Sequence, residues 1–248
     1  MNLDWKTIQY GLRRIAVPSS IIQESLLSAY KEPDSRVSVE TVIGAAAALT
    51  GEFALRAVLP PKLQSSEKWI VAGDHINGLL FEEPSILTVW KVLGMHIVVS
   101  KIGTQADMPD WVDVCKRQSQ SLGDNFFPNL KVDPYYYPHE WSPVACPRFR
   151  ENVQALATEY KLTPYETALA LGSGTGEIIA LGKDVLPVKI GMQLAADVMK
   201  GVSYMLPWDK PEDLTHVMSF DRNSPHPPGK ISIRTSLLYR PNFSWGPV

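Results

Sequence analysis

The chain runs to 248 residues, 45% of them hydrophobic and 20% charged, with a formal net charge of −2. That length and balance suit a single compact domain with a sizeable core and exclude an intrinsically disordered chain. A near-neutral charge without any lysine- or arginine-rich run also argues against a general nucleic-acid binder, which needs a basic footprint. Two cysteines, Cys115 and Cys146, lack metal-ligand spacing and are too few for a disulfide framework, so ordinary thiols in a reducing, cytoplasmic setting are expected. The start of the chain has no basic region followed by an apolar one, so no signal peptide is expected. Glu52, Arg56, Lys91 and His96 interrupt the apolar helices, and no unbroken run reaches the roughly 18 residues of a membrane span.

In chain order, Ser20-Ile-Ile-Gln23 reads as a capping box opening a helix toward Tyr30. Apolar residues at helical spacing (Val39, Val42, Ile43, Ala46, Leu49, Phe53) predict a second helix from about 38 to 59, stopped by Pro60-Pro61. A third helix is predicted over about 66–81. A fourth, over about 84–101, is apolar nearly all round, as a buried helix is. A fifth follows over about 109–122, with Pro109 in its first turn. Residues 124–146 form a proline- and aromatic-rich connection. Helical pattern resumes at Arg148, and Thr163-Pro164-Tyr165-Glu166 combines a capping threonine, a first-turn proline and a glutamate that reaches back to the cap. Helical character then continues, with interruptions, to about Leu206, with a short helix at Asp209–Glu212. In the proline-rich, mostly irregular tail from 219, Lys230–Tyr239 reads as a strand in need of a partner. The fold class predicted is mainly α: a compact multi-helix bundle in one domain, with possible halves at 1–123 and 147–218.

The segment Leu171-Gly-Ser-Gly-Thr-Gly-Glu177 supports two readings. It resembles the first motif of the class I methyltransferases. That resemblance covers about ten residues and implies S-adenosylmethionine as cofactor, cradled by Gly172, Gly174 and Gly176, with an acidic residue some 20 positions on holding the ribose. Asp197 stands in that region, but within a helical pattern, and the segment itself opens on a helix cap rather than a strand. The second reading is therefore a glycine-containing helix, where each glycine signals close approach of another helix, a break, or a ligand on bare backbone. It is joined by an internal echo. Glu40-Thr41, Thr50-Gly51-Glu52, Val58-Leu59-Pro60 and Asp74-x-x-x-Gly78 recur in order as Glu166-Thr167, Thr175-Gly176-Glu177, Val185-Leu186-Pro187 and Asp197-x-x-x-Gly201. Such an echo predicts two pseudo-symmetric helical halves.

Candidate chemistry follows from charged residues in apolar surroundings. Glu52 has Arg56 four residues on, in the favourable order for a helical ion pair. Glu177 has no base at helical spacing. Asp74 and His75 are a carboxylate beside an imidazole, a pair suited to acid–base work or to the wet face of a helix. His96 lies in the apolar fourth helix, where a hydrogen-bonded core histidine is expected. There is no Glu-x-x-His pair, no zinc-protease motif and no nucleophile elbow. The functional expectation is a helical protein that binds a small molecule or a protein partner, or a second copy of itself, where its halves meet. The candidate residues are Glu177, Asp74, His75, Glu52, Asp197, Gly172, Gly174 and Gly176. The alternative is an enzyme: the methyltransferase, or a general acid–base catalyst using Asp74, His75 and Glu177.

Overall fold

The computed structural model describes residues 5–59, 73–81, 87–122, 127–205 and 230–232. Two helices apolar on every side form its centre. Helix α2 (Val39–Val58) starts at Ser38, whose hydroxyl accepts from the Thr41 amide, and is buried from Val39 to Leu55. Helix α7 (Pro164–Leu181) starts with the predicted capping box: the Thr163 side chain accepts from the Glu166 amide, and the Glu166 carboxylate accepts from the Thr163 amide. The two helices cross with Thr50 Oγ1 and Thr175 Oγ1 3.4 Å apart. Each hydroxyl also donates to its own helix, Thr50 to the Ala46 carbonyl at 2.7 Å and Thr175 to the Leu171 carbonyl at 2.9 Å. That leaves no unmet hydroxyl in a dry crossing.

The other helices among the described residues are α1 (Trp5–Ala29), α3 (Gly73–Leu80), α4 (Val89–Val99), α5 (Trp111–Gln120), α6 (Ala145–Glu159) and α8 (Val188–Val202). They surround the central pair reciprocally: α6 and α8 pack on α2, while α1 and α4 pack on α7. The molecule is thus a mainly α, compact multi-helix bundle. Helix α2 is long and apolar enough to cross a membrane by composition, but here its apolar surface is spent on the core.

Glycines set the spacing of these contacts. A Cβ on Gly176 would stand 2.7 Å from the Leu93 carbonyl of α4, and one on Gly172 would stand 2.6 Å from the Val89 side chain of the same helix. Gly174 faces the other way, toward the Ser19 carbonyl of α1 at 3.2 Å. Gly51 of α2 has the Met199 carbonyl of α8 against it in the same manner. The three glycines of α7 are therefore sites of helix contact. This corrects the cofactor-loop expectation: the segment is unbroken helix, its amides lie within the helix ladder, and neighbouring helices occupy the space a ligand would need.

Other expectations shift too. Ser20 does not open a helix; α1 begins at Trp5 and runs through Pro18. The fourth helix starts at Val89, capped by Thr88, and the fifth at Trp111, capped by Asp110, because a side-chain oxygen able to accept an amide sits there. The lone strand finds its partner: β2 (Lys230–Ser232) pairs antiparallel with β1 (Arg36–Ser38), Val37 opposite Ile231. The Asp209–Glu212 helix, the Pro60-Pro61 stop and the rest of the tail lie outside the described residues. From 127 to 144 the connection is irregular, with two short 3-10 turns at Pro134–Tyr136 and Ser142–Val144, and α6 begins at Ala145, inside the range expected for the connection. Trp141 donates from its indole to the Phe127 carbonyl at 2.8 Å, and both rings are buried.

Alanine favours helix over glycine by up to about 1 kcal/mol. Even so, Gly176→Ala is expected to lower stability by about 2 kcal/mol, since the methyl meets a backbone oxygen that cannot move aside. Gly191→Ala, whose methyl meets only side chains, Ile179 at 3.3 Å and Ile43 at 3.5 Å, is expected to be neutral or slightly stabilising. Urea unfolding of the two variants checks the contrast.

Candidate functional site

Charged side chains in the core gather into separate clusters. Glu52, 1% exposed, accepts from Arg56 Nε at 2.7 Å, the pair its spacing predicts. It also accepts from Arg150 of α6, at 2.6 Å from Nε and 3.3 Å from Nη2. The neighbouring Cys146 thiol is held well above its ordinary range by burial and by this carboxylate. Both Glu52 oxygens are engaged by arginine, so the cluster fastens α6 to α2.

Asp197 of α8 is fully buried and equally committed. Its Oδ1 accepts from Arg117 Nη2 at 2.6 Å and from Gln193 Nε2 at 2.9 Å; its Oδ2 accepts from the Lys131 amide at 2.7 Å. Burial raises its carboxyl pKa, against the downward pull of Arg117, the Lys131 amide and Gln193. Asp197 ties α8 to α5 and to the connection. It sits in a helix rather than at a strand end, which removes its role as a ribose acid.

Glu177 stands at the joint of α1, α4 and α7. Its Oε1 accepts from the buried Ser19 hydroxyl at 3.0 Å and lies 3.8 Å from His96 Nε2. That ring nitrogen is 2.8 Å from Ser173 Oγ. Serine, histidine and glutamate thus meet, but both oxygens approach the same imidazole nitrogen. A catalytic triad places its acid on the opposite nitrogen, so Glu177 does not orient the ring as a triad acid does. Burial raises the Glu177 pKa and lowers that of His96. His75 is exposed on α3, and the side chain of Asp74 lies outside the described residues. The partners described for Glu177 are Ser19 and His96, not His75.

The residue that composition and spacing did not single out is Lys200. It is 0% exposed, and its Nζ has no hydrogen-bond partner among the described residues. The ammonium position lies 3.8 Å from the centre of the Tyr204 ring. Cys115 of α5 is its electrostatic neighbour, and the Cys115 thiol donates in turn to Asn77 Oδ1 of α3 at 3.6 Å. Burial pushes the Cys115 pKa up, so it presents a neutral thiol rather than a balancing thiolate. Burial likewise pushes Lys200 down to about 8. The signal in the sequence was a charge inside an apolar helical run, Leu194-Ala-Ala-Asp-Val-Met-Lys-Gly-Val202, as at Glu52.

Elsewhere, an open cleft of about 440 Å³ between Lys101, Asp107, Lys183, Asp184 and Lys189 mixes charges of both signs at the surface. No group of three or more metal-ligating side chains occurs among the described residues. Compared with known proteins, the chain matches no family, no curated protein and no solved structure.

Breaking a buried ion pair from one side costs about 3–5 kcal/mol. Glu52→Gln is expected to lose stability in that range by chemical denaturation, because Arg150 and Arg56 are left with a neutral partner. His96 has a depressed pKa in the fold, so the unfolded chain takes up its proton more readily. Stability is expected to fall as the pH drops below 6.5, the ordinary value for this group, and His96→Gln to flatten that fall. Denaturation measured across the acid range checks it.

Proposed function

We propose that this chain is a helical binding protein that holds a small ligand where its two halves meet, anchored by Lys200. One observation carries the reading: a fully buried amine without a hydrogen-bond partner among the described residues. Burying an unpaired ammonium costs several kcal/mol, and the folded chain bears that cost while it matches Glu52 and Asp197 with arginines. Perturbed, unmatched ionisable groups concentrate at functional sites. The location supports the same reading. Cys115 and Asn77 come from the first half and Lys200 and Tyr204 from the second, so the amine stands at their junction. A duplication accounts for such a junction. Thr50-Gly51-Glu52 and Thr175-Gly176-Glu177 meet at the central crossing, and the outer helices pack on opposite members of the central pair. A reducing, cytoplasmic setting fits the two free cysteines.

A lysine whose folded pKa is depressed leaves the unfolded chain with more bound protons between the two values. Stability is therefore withheld at lower pH and recovered as pH rises from about 8 to 10.5. The shift corresponds to about 3 kcal/mol. Lys200→Met, an apolar replacement of similar length, is expected to be more stable than the wild type at pH 7 and to lose that alkaline gain. In a thermal-shift screen of small carboxylates and carbonyl compounds, ligands that stabilise the wild type are expected to leave Lys200→Met unmoved. A Lys200→Met chain less stable than wild type at pH 7 would show that the amine serves the fold.

A further inference from the structure

The chemistry around Lys200 narrows the ligand class, and this step rests on the reading of Lys200 as a ligand anchor. An anion site gathers several donors on one point. Here Arg117 of α5, the helix that also carries Cys115, is held by Asp113 and Asp197, and the Asn77 side-chain oxygen is turned to the Cys115 thiol. The group facing Nζ is the ring of Tyr204, whose π face is electron-rich. That face repels a bound anion and attracts a cation. No carboxylate is paired with Nζ among the described residues, so no ion pair holds the amine in its protonated form. These features suit an amine that acts as a nucleophile.

We propose that Lys200 captures a small aldehyde or ketone as a reversible Schiff base, with the ring of Tyr204 supporting the protonated imine. The Nζ lone pair adds to the carbonyl carbon and forms a C–N bond. Counted from the ammonium form, two of its three hydrogens leave with the carbonyl oxygen as water, one of them shed first to free the lone pair, and the third stays on nitrogen in the protonated C=N bond. No oxidant, reductant or further reactant is required. Full enclosure of Nζ keeps bulk water from the imine, which slows its hydrolysis, and it limits the carbonyl compound to a small one. The free-amine fraction of Lys200 at neutral pH is on the order of a hundredfold larger than that of an ordinary lysine. Lys200 therefore competes with exposed lysines despite its burial.

The test is reductive trapping on the whole chain. Wild-type protein is incubated at pH 7 with limiting propionaldehyde and cyanoborohydride, and the alkylated lysines are located by peptide mass spectrometry. Lys200 is expected to carry the propyl group ahead of exposed Lys101, Lys131 and Lys183, and the lead adduct to vanish in Lys200→Met. Without reductant, the adduct is expected to reverse on dilution. Labelling confined to exposed lysines, with Lys200 unmodified, would overturn carbonyl capture. The wild-type map stands alone if the variant fails to fold. A parallel thermal shift with propionamide, a neutral compound of the same size that forms no imine, separates the two levels. Stabilisation of the wild type only, without trapping, leaves the binding reading intact and removes the covalent step. No stabilisation and no trapping remove both.

Discussion

The close approach of α2 and α7 is the constraint on which the rest of the structure depends. Two helices apolar on all sides can be buried together only if other helices cover each of them. Here the covering helices come close enough for carbonyl oxygens to lie where glycine lacks a side chain, at Gly51 against α8 and at Gly176 against α4. The central contact is closed by Thr50 and Thr175, whose hydroxyls are satisfied within their own helices before they meet. Glycine is a poor helix former, costing up to about 1 kcal/mol relative to alanine in a helix interior. Its presence in α7 is explained by what stands beside it.

Once the helices are this close, the polar groups between them must be matched, because water cannot reach them. Most are. Glu52 is held by two arginines, Asp197 by an arginine, a glutamine and a backbone amide, and Glu177 by Ser19. Each match also ties a helix or the long connection to the central pair, so the same carboxylates that disturb the apolar pattern hold the assembly in register. Lys200 breaks the pattern. It has an aromatic face and a neutral thiol for neighbours, which lessen the cost of its charge without cancelling it. That imbalance is the reason to read it as chemistry rather than architecture.

Much of the architecture was legible in the sequence because it is written locally. The Thr163–Glu166 capping box, the stripe of α2 and the apolar run of α4 are short-range patterns, and the helices follow them, although α4 is buried on one side only and leaves Val98 and Val99 exposed. The Glu52–Arg56 pair was legible for the same reason. What escaped was non-local. Arg150 lies 98 residues from Glu52, and Arg117 lies 80 from Asp197, so only the packed fold brings them together. The β1–β2 pairing escaped likewise, since three-residue strands carry almost no periodicity. The glycine segment misled in one reading because a cofactor loop and a tight helix crossing both require glycine, and residue identity alone does not separate them. Of the candidate site, Glu177 was visible as a carboxylate without a helical partner. Lys200 sat unremarked in an apolar run of α8, and α5, which packs on α8, is far from it in sequence.

The claim on which the functional account turns is that the Lys200 amine lies unmatched in the core. The direct measurement is a titration of its side-chain amine by heteronuclear NMR on isotope-labelled lysine, assigned with Lys200→Met. The account predicts a midpoint at about 8, separated from the exposed lysines. A midpoint at or above 10.5, the ordinary value, would mean that the amine is charged and paired like its neighbours, and would contradict it.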